Sequence, residues 1–573
     1  MLPRLSLTLI VTFLLVSGSQ PVAAAPIKVE NFALIDHEGK FHEFDYYRRD
    51  PNVKALVLFV QGNGCPLVRK RIPELKRLRD AYQAKGILFG MINANPQDER
   101  DDLAAEAREF GIDMPILKDS RQLVTGMLGI DRTAEALLID TQTRRVIFRG
   151  PIDDRLSYQT AKTEASVHYL SDAIEALLSG AEITTPKVEA PGCRITTEAP
   201  GEDSISYSEH VAPILKARCV QCHTTGGVGP FAMANYKKVD GWSEMIAEVI
   251  LTKQMPPWHA DPHIGKFSNS SALTDDEART IVAWIRAGSP RGEGPDPLDG
   301  YHPKLPQWSL GEPDKIIDLP LQKIPAEGIL EYRYVYLDSP FDHDVWVRAA
   351  ELKPGNKKIL HHAIVTTEDK SAPKKHDLKG QWLSGYAPGT DPTPCPEGTG
   401  ILLRTGHRLN IQLHYTVTGR PEEDLTRIGL FLLETAPAKT LETSALAFHK
   451  FRILPYAREH SQTVTKKIDS DILLQGINPH MHFRGKRMSF TIKKPDGTKQ
   501  VLLSVPNYNF NWQRTYHFEK PIAIAAGSEL IVENAWDNSA LNRYNPDPSK
   551  TVGWGDQTFD EMFFATFTFV KGN

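Results

Sequence analysis

The sequence predicts a multidomain chain: an α/β unit first, a small all-α unit next, and a long all-β region of sandwich type last. Three observations predict this. Near the N-terminus, short apolar runs alternate with helical patterns, as in strands covered by helices. A helix-patterned segment then lies between two Pro/Gly-rich stretches. Beyond residue 315, short alternating runs are separated by turns such as Pro354-Gly355, Pro495-Asp-Gly497 and Ala526-Gly527. That spacing is typical of antiparallel sheets packed face to face. At 573 residues the chain is also too long for a single core.

Residues 1–25 read as a secretory signal: Arg4, an apolar run from Leu5 to Val16, then Ala23-Ala24-Ala25. The alternative is an uncleaved anchor, but the run is short for a bilayer span. The mature chain is expected to be exported, periplasmic or extracellular, with no membrane span. A net charge of -4 and no basic block argue against a nucleic-acid partner.

The α/β unit covers residues 26–180. Ala55-Leu-Val-Leu-Phe-Val60 is a continuous apolar run, as in a strand buried on both faces. The turn Gln61-Gly-Asn-Gly-Cys65 leads into a helix from Pro66 to Lys85. Strands follow at 86–92 and at Ala136-Leu-Leu-Ile-Asp140, with an acidic helix between. This unit resembles the thioredoxin-like redoxins. The resemblance places Cys65 where that family keeps its redox cysteine, at a helix N-terminus that stabilises a thiolate. Two departures weaken the redox reading and leave a structural or docking role open beside it. The second cysteine of a Cys-x-x-Cys pair would fall at Val68, and Ala134 stands where a cis-proline is expected.

Residues 181–203 read as a linker. Cys193, just past the domain, is a candidate partner for Cys65, as a resolving thiol or a static staple. Of five cysteines, two belong to the motif below, so Cys65, Cys193 and Cys395 allow one disulfide at most. Cys395 is a second candidate partner for Cys193.

Residues 204–290 form the all-α unit. Cys219-Val-Gln-Cys-His223 is a c-type haem attachment sequence. Two thiols one turn apart meet the two haem vinyl groups, and the adjacent imidazole reaches the iron. Gln254-Met255-Pro-Pro-Trp258 resembles the methionine loop of small cytochrome c domains, with Met255 as second axial ligand and His259 and His263 as competitors. Thr274-Asp-Asp-Glu277 caps a last helix bearing Ile281, Trp284 and Ile285. One covalently bound haem and an electron-transfer role are expected. Residues 291–315 read as a second linker.

The all-β region carries a series of histidines: His361-His362, then Gln412-Leu-His414, then His480-Met-His482, with Met562 near the end. Arg408 to Thr416 alternates strictly, so Asn410, Gln412, His414 and Thr416 share a face that would ordinarily meet solvent. Met562, in Glu561 to Phe569, lies opposite Phe563, Phe567 and Phe569. Adjacent His361 and His362 point to opposite sides of a regular strand, so joint ligation of one ion requires a bulge or strand end there.

Five imidazoles and one thioether suit copper. A soft thioether favours Cu(I), and three imidazoles suit both oxidation states. Zinc rarely accepts methionine, and a blue-copper site would need a cysteine. Together these motifs resemble the type II copper monooxygenases, the family of peptidylglycine and dopamine hydroxylases, over residues 315–573. The resemblance implies two jelly-roll-like copper domains, 316–445 and 446–573, and two copper ions. His361, His362 and His414 would hold an electron-transfer copper. His480, His482 and Met562 would hold the oxygen-binding copper, and Gln412 matches a family glutamine.

The implied reaction is hydroxylation of a small organic substrate by O2, using an external donor such as ascorbate or a redox protein. The upstream haem is the expected route for the electrons. Peptide-amidating members use an arginine and a tyrosine where this chain has Asn478 and Thr566, which argues against a C-terminal glycine peptide. Arg484 and Lys486 read as solvated surface charges. Two other activities fit parts of the chain: a haem/copper electron-transfer protein without hydroxylase activity, and a thiol or peroxide oxidoreductase acting through the redoxin unit.

Overall fold

The computed structural model describes residues 27–157, 160–197, 205–303, 307–375, 380–388, 390 and 392–572. The expected signal segment lies outside the described residues. Among them, no helix is long and apolar enough to cross a membrane.

The N-terminal unit is a seven-stranded mixed sheet. Strand Ala55–Gln61 is buried along its whole length. It pairs in parallel with Ile87–Asn93 and antiparallel with Ala136–Asp140. Its continuous apolar run is explained by two different covers. Val57 and Phe59 pack against helices Pro66–Tyr82, Arg100–Glu109 and Tyr169–Ser179. Leu56, Leu58 and Val60 face the other way, into a core shared with helix Leu123–Leu128 and with the helical segment that follows.

That segment contributes helices Ala212–Arg218, Ser243–Leu251 and Asp275–Arg286. The helix before Cys219 begins as a wide π-helical turn, Tyr207–Val211, before becoming regular. Thr274 and Glu277 form the capping box the sequence announces. Trp284, Tyr207 and Leu215 are fully buried with redoxin side chains such as Leu128 and Ile139. The two units therefore share one hydrophobic core.

The two expected linkers are docked segments. Residues 186–195 run back along the first domain: Arg149 N–H donates to Pro186 O at 2.9 Å and Thr133 N–H to Cys193 O at 2.9 Å. In the second stretch Leu298 and Trp308 are buried. Pro and Gly there remove regular structure but leave packing intact, so composition alone misreads them as loose.

The C-terminal half is all-β. A four-stranded sheet has the order Arg333–Asp338, His407–Tyr415, Leu360–Asp369, Gln381–Tyr386. Its Leu409, Ile411 and Leu413 pack on Val345, Val347 and Leu352 of the eight-stranded sheet. That larger sheet continues through strand Lys439–Ala447 to Phe564–Lys571 and Ile472–His480. The expected division at 445/446 thus falls inside a strand, because one sheet serves both halves. A further four-stranded sheet, with Gly485–Lys493 and Glu529–Trp536 at its centre, completes the region.

Candidate functional site

Strand Leu360–Asp369 pairs with His407–Tyr415, and its register slips between Leu360 and His362. This bulge turns the adjacent His361 and His362 to the same side, as joint ligation demands. His362 pairs directly with His414 across the strands. One nitrogen from each of His361, His362 and His414 lies within 4.8 Å of the others. The Nδ1 atoms of His361 and His362 are 3.4 Å apart. Two nitrogens bound at about 2.0 Å to one tetrahedral ion are separated by about 3.3 Å.

The face of Asn410, Gln412 and His414, which alternation alone assigns to solvent, is buried. The Tyr332 ring covers it, 4.7 Å from His414 and 5.4 Å from His362. Gln412 donates to the Tyr334 hydroxyl at 2.6 Å. Burial pushes His361 down to about 4. Burial, then His361 and His480, push His414 to about 3. These imidazoles are neutral at pH 7, the form that binds metal. His361 Nε2 and His414 Nδ1 are buried with no hydrogen-bond partner, a cost that a bound metal removes for whichever of them it engages.

The second histidine pair sits where strand Ile472–His480 ends, not within a continuing strand. The Tyr508 hydroxyl fixes that end, accepting from Met481 N–H at 3.0 Å and donating to Met481 O at 2.8 Å. The His480 and His482 ring centroids are 5.2 Å apart. His480 Nδ1 meets Gln513 Oε1 at 2.9 Å and His482 Nδ1 meets Asp560 O at 3.3 Å. Both contacts leave Nε2 for another ligand, the usual support for a metal-binding histidine. His482 Nε2 is buried and unpartnered.

Glu561 is fully buried. Its carboxylate accepts from the backbone N–H of Arg484 at 2.6 Å, His482 at 2.9 Å and Met562 at 3.3 Å, and from Trp536 Nε1 at 2.9 Å. One side chain thus ties the His480–His482 turn to the Met562 segment. Burial pushes its pKa up to about 7.

Met562 lies just before strand Phe564–Lys571, not inside it. It shares the wall of a cavity of about 1280 Å³ with His362, Gln412 and His480. Asn478 and Thr566 are register partners on that wall. Arg484, expected at the surface, is 1% exposed. Its guanidinium donates to Asn538 Oδ1 and Phe559 O, both at 2.8 Å. Lys486 is half-buried and pairs with Glu459 at 3.0 Å.

Cys222 and the loop after it form another part of the same cavity wall. In this motif, Cys222 and His223 N–H both donate to Cys219 O, closing one turn. His223 Nδ1 lies 3.0 Å from Phe231 O, leaving Nε2 for an axial bond. A Cβ on Gly229 would come within 2.9 Å of the His223 ring, so only glycine lets the chain fold over it. Met255 is half-buried, His263 exposed, and His259 buried with Nε2 unpartnered. Cys219, Cys222 and His223 thus offer two thiols one turn apart and an available imidazole nitrogen, the groups a c-type haem would need from this motif.

Cys65 caps helix Pro66–Tyr82, and its Sγ lies 3.6 Å from Cys193 Sγ and 3.3 Å from Thr133 Oγ1. Cys65, Cys193 and Cys395 are all free thiols; Cys193 lies beside Cys65, whereas Cys395 is elsewhere, its Sγ 3.7 Å from Val347 O.

Sequence reasoning missed Tyr332, Phe510, Gln513 and Glu561. Only Glu561 left a signal, as an acidic residue at the head of an apolar run; the others come from loops without periodicity.

Residues 27–149 match the AhpC/TSA family. The N-terminal domain is of thioredoxin-like redoxin type, and that match ends before the helical and β regions. No curated protein matches the chain. Among solved structures, a hypothetical protein from Sinorhizobium meliloti 1021 is 26% identical, covering 30% of this chain and 95% of its own, with a TM-score of 0.28. An uncharacterized conserved protein from Geobacillus kaustophilus is 25% identical, covering 31% and 93%, with a TM-score of 0.27. A thiol:disulfide interchange protein from Bacteroides sp. is 17% identical, covering 22% and 79%, with a TM-score of 0.19.

Proposed function

We propose that this chain is an exported copper monooxygenase that hydroxylates a C–H bond of a small organic substrate with O2. The observation that carries this reading is the convergence of His361, His362 and His414, with unpartnered buried nitrogens, beside a cavity that His480 and Met562 also line. His361, His362 and His414 would hold one copper; His480, His482 and Met562 would hold the other. Copper bound there would supply one-electron chemistry at both sites and dioxygen activation at the thioether-containing one.

The chain's own residues orient these donors. Gln513 and Asp560 O hold the Nδ1 edges of His480 and His482, while Glu561 fixes the backbone between them and Met562. Asn478 and Thr566 present neutral polar groups to the cavity and offer no cation to a peptide carboxylate at these positions.

The reading includes a c-type haem on Cys219 and Cys222, with His223 and Met255 as axial ligands, as the entry point for electrons. The shared cavity wall supports it, since a tethered donor has a high effective concentration. Ascorbate or a redox protein would be the external source.

The test is to load the full chain with copper, count metal and haem, and follow oxygen uptake against a metabolite extract. Two coppers and one haem per chain are expected. Fewer than two coppers, or uptake indifferent to Met562→Ile, sinks the proposal. Rapid mixing of reduced protein with oxygen and substrate tests the haem route, which fails if the haem does not reoxidise during turnover.

One observation favours a second activity. The 3.6 Å contact between Cys65 and Cys193 suits a dithiol that loses two electrons and two protons to a disulfide or peroxide acceptor as its S–S bond forms. A peroxide-consumption assay on Cys65→Ser discriminates: unchanged consumption rules this activity out.

A further inference from the structure

Cys65 is covered by a strap of its own chain. Residues 190–195, which follow the redoxin domain, lie against residues 131–134 of it. Ile195 N–H donates to Asp131 O and Thr133 N–H to Cys193 O, both at 2.9 Å. Cys193 N–H donates to Thr133 Oγ1 at 3.0 Å, and the Arg132 guanidinium to Gly192 O at 3.2 Å. Arg132 and Arg194 pair as an antiparallel bridge. Ala190 and Ile195 anchor the two ends of the strap as buried side chains. A Cβ at Gly192 would collide with Thr133 O, so only glycine lets the strap lie this close.

The strap changes which sulfur faces outward. Cys65, the thiol expected to meet a partner, is 6% exposed and belongs to the same apolar core as Val68 and Ala134. Cys193, riding on the strap, is exposed. The two Sγ atoms are 3.6 Å apart, so either could open or close the pair, and access decides which one an outside molecule reaches. The strap also occupies Asp131 O and Thr133 N–H, the backbone groups an extended polypeptide would pair with there. A small molecule has no need of them.

We propose that Cys193, not Cys65, is the sulfur that exchanges with an external partner, and that the partner is a low-molecular-weight thiol or its disulfide. This rests on the dithiol reading above and adds the entry sulfur and the class of partner. In the oxidised pair, an incoming thiolate attacks Cys193 Sγ. The Cys65–Cys193 bond breaks, and its electron pair goes to Cys65 Sγ at the N-terminus of a 17-residue helix, where negative charge is stabilised. A second thiolate attacks the small-molecule sulfur of the mixed disulfide and releases Cys193. Two thiols become one disulfide, their two electrons enter the pair, and the two cysteines take up the two protons the thiols lost. In reverse, reduced Cys193 attacks a small disulfide, and Cys65 then attacks Cys193 Sγ and expels the second thiol.

The test uses the full reduced chain and glutathione disulfide as the probe, with each modified cysteine located by peptide mass spectrometry. The unmodified protein should form the Cys65–Cys193 disulfide and release two glutathione molecules per chain. Cys65→Ser should hold glutathione on Cys193 as a lasting mixed disulfide. Cys193→Ser, which keeps the strap, should take glutathione on Cys65 roughly tenfold more slowly. Adding Gly192→Ala to Cys193→Ser should recover most of that rate, because the strap is pushed off Thr133. If that chain does not fold, Ile195→Ser, which unseats the buried end of the strap, carries the same expectation. Equal rates at Cys65 and Cys193 in the two serine variants would overturn this inference and leave the dithiol reading standing. So would a strap variant no faster than Cys193→Ser alone. An unmodified protein that neither closes the pair nor releases glutathione would overturn the dithiol reading itself.

Discussion

Replacing Gln513 by alanine removes the acceptor that holds His480 Nδ1 at 2.9 Å. That contact selects the tautomer with the proton on Nδ1 and keeps Nε2 directed at its ligand. Without it the ring turns more freely, and a neutral hydrogen bond worth about 0.5–1.5 kcal/mol is lost. Supporting partners of metal-bound histidines typically contribute 10- to 100-fold in affinity, which is about 1.4–2.7 kcal/mol. The loss should fall on one site only. His361, His362 and His414 are positioned by the bulge, Tyr332 and Phe510, so their affinity serves as an internal control. Competitive copper titration against chelators of graded strength resolves the two sites. Equal weakening of both sites, or a change under about twofold at the second, would refute the argument that Gln513 orients His480.

Three further outcomes are expected. His414→Ala should bind one copper per chain instead of two, as counted by metal analysis after dialysis, while haem content stays unchanged. Arg71 is 2% exposed and paired with Asp153, also donating to Asp153 O at 3.1 Å and Leu156 O at 3.3 Å. Arg71→Ala should therefore cost roughly 3–5 kcal/mol in denaturant unfolding, because it strands a buried carboxylate. The copper-free protein should lose stability in acid. Burial, with a smaller push from Arg514, lowers His259 from the ordinary 6.5 to about 4, and burial, then His361 and His480, lower His414 to about 3. Depressed histidine pKa values stabilise the fold above about 6.5, and that contribution is lost as pH falls toward 4. Each such histidine adds a slope of about 1.4 kcal/mol per pH unit across that window. Thermal melts flat from pH 7 to 4.5 would contradict the burial of these imidazoles.

The sequence by itself determined every element whose signal is local. The apolar run at Ala55–Gln61 and the capping box at Thr274–Glu277 are visible in consecutive residues, because periodicity and capping act within a few positions. The bulge at His361-His362 was also legible, since adjacent side chains in a regular strand cannot share one ion. The candidate donors could be named from residue type and order. Their surroundings were decided only in three dimensions. His414 stands on a face that alternation gives to solvent, yet Tyr332, from a distant segment, closes over it. Arg484 looks like surface charge but is spent on Asn538 and Phe559 O. Both Pro/Gly-rich stretches look loose yet pack onto their neighbours. Burial of a polar face depends on what covers it, and that cover comes from residues far along the chain. The sequence therefore determined which residues are candidates for ligands. Only the tertiary structure decided that they are desolvated, oriented by Gln513 and Glu561, and that His362, His480 and Met562 line one cavity.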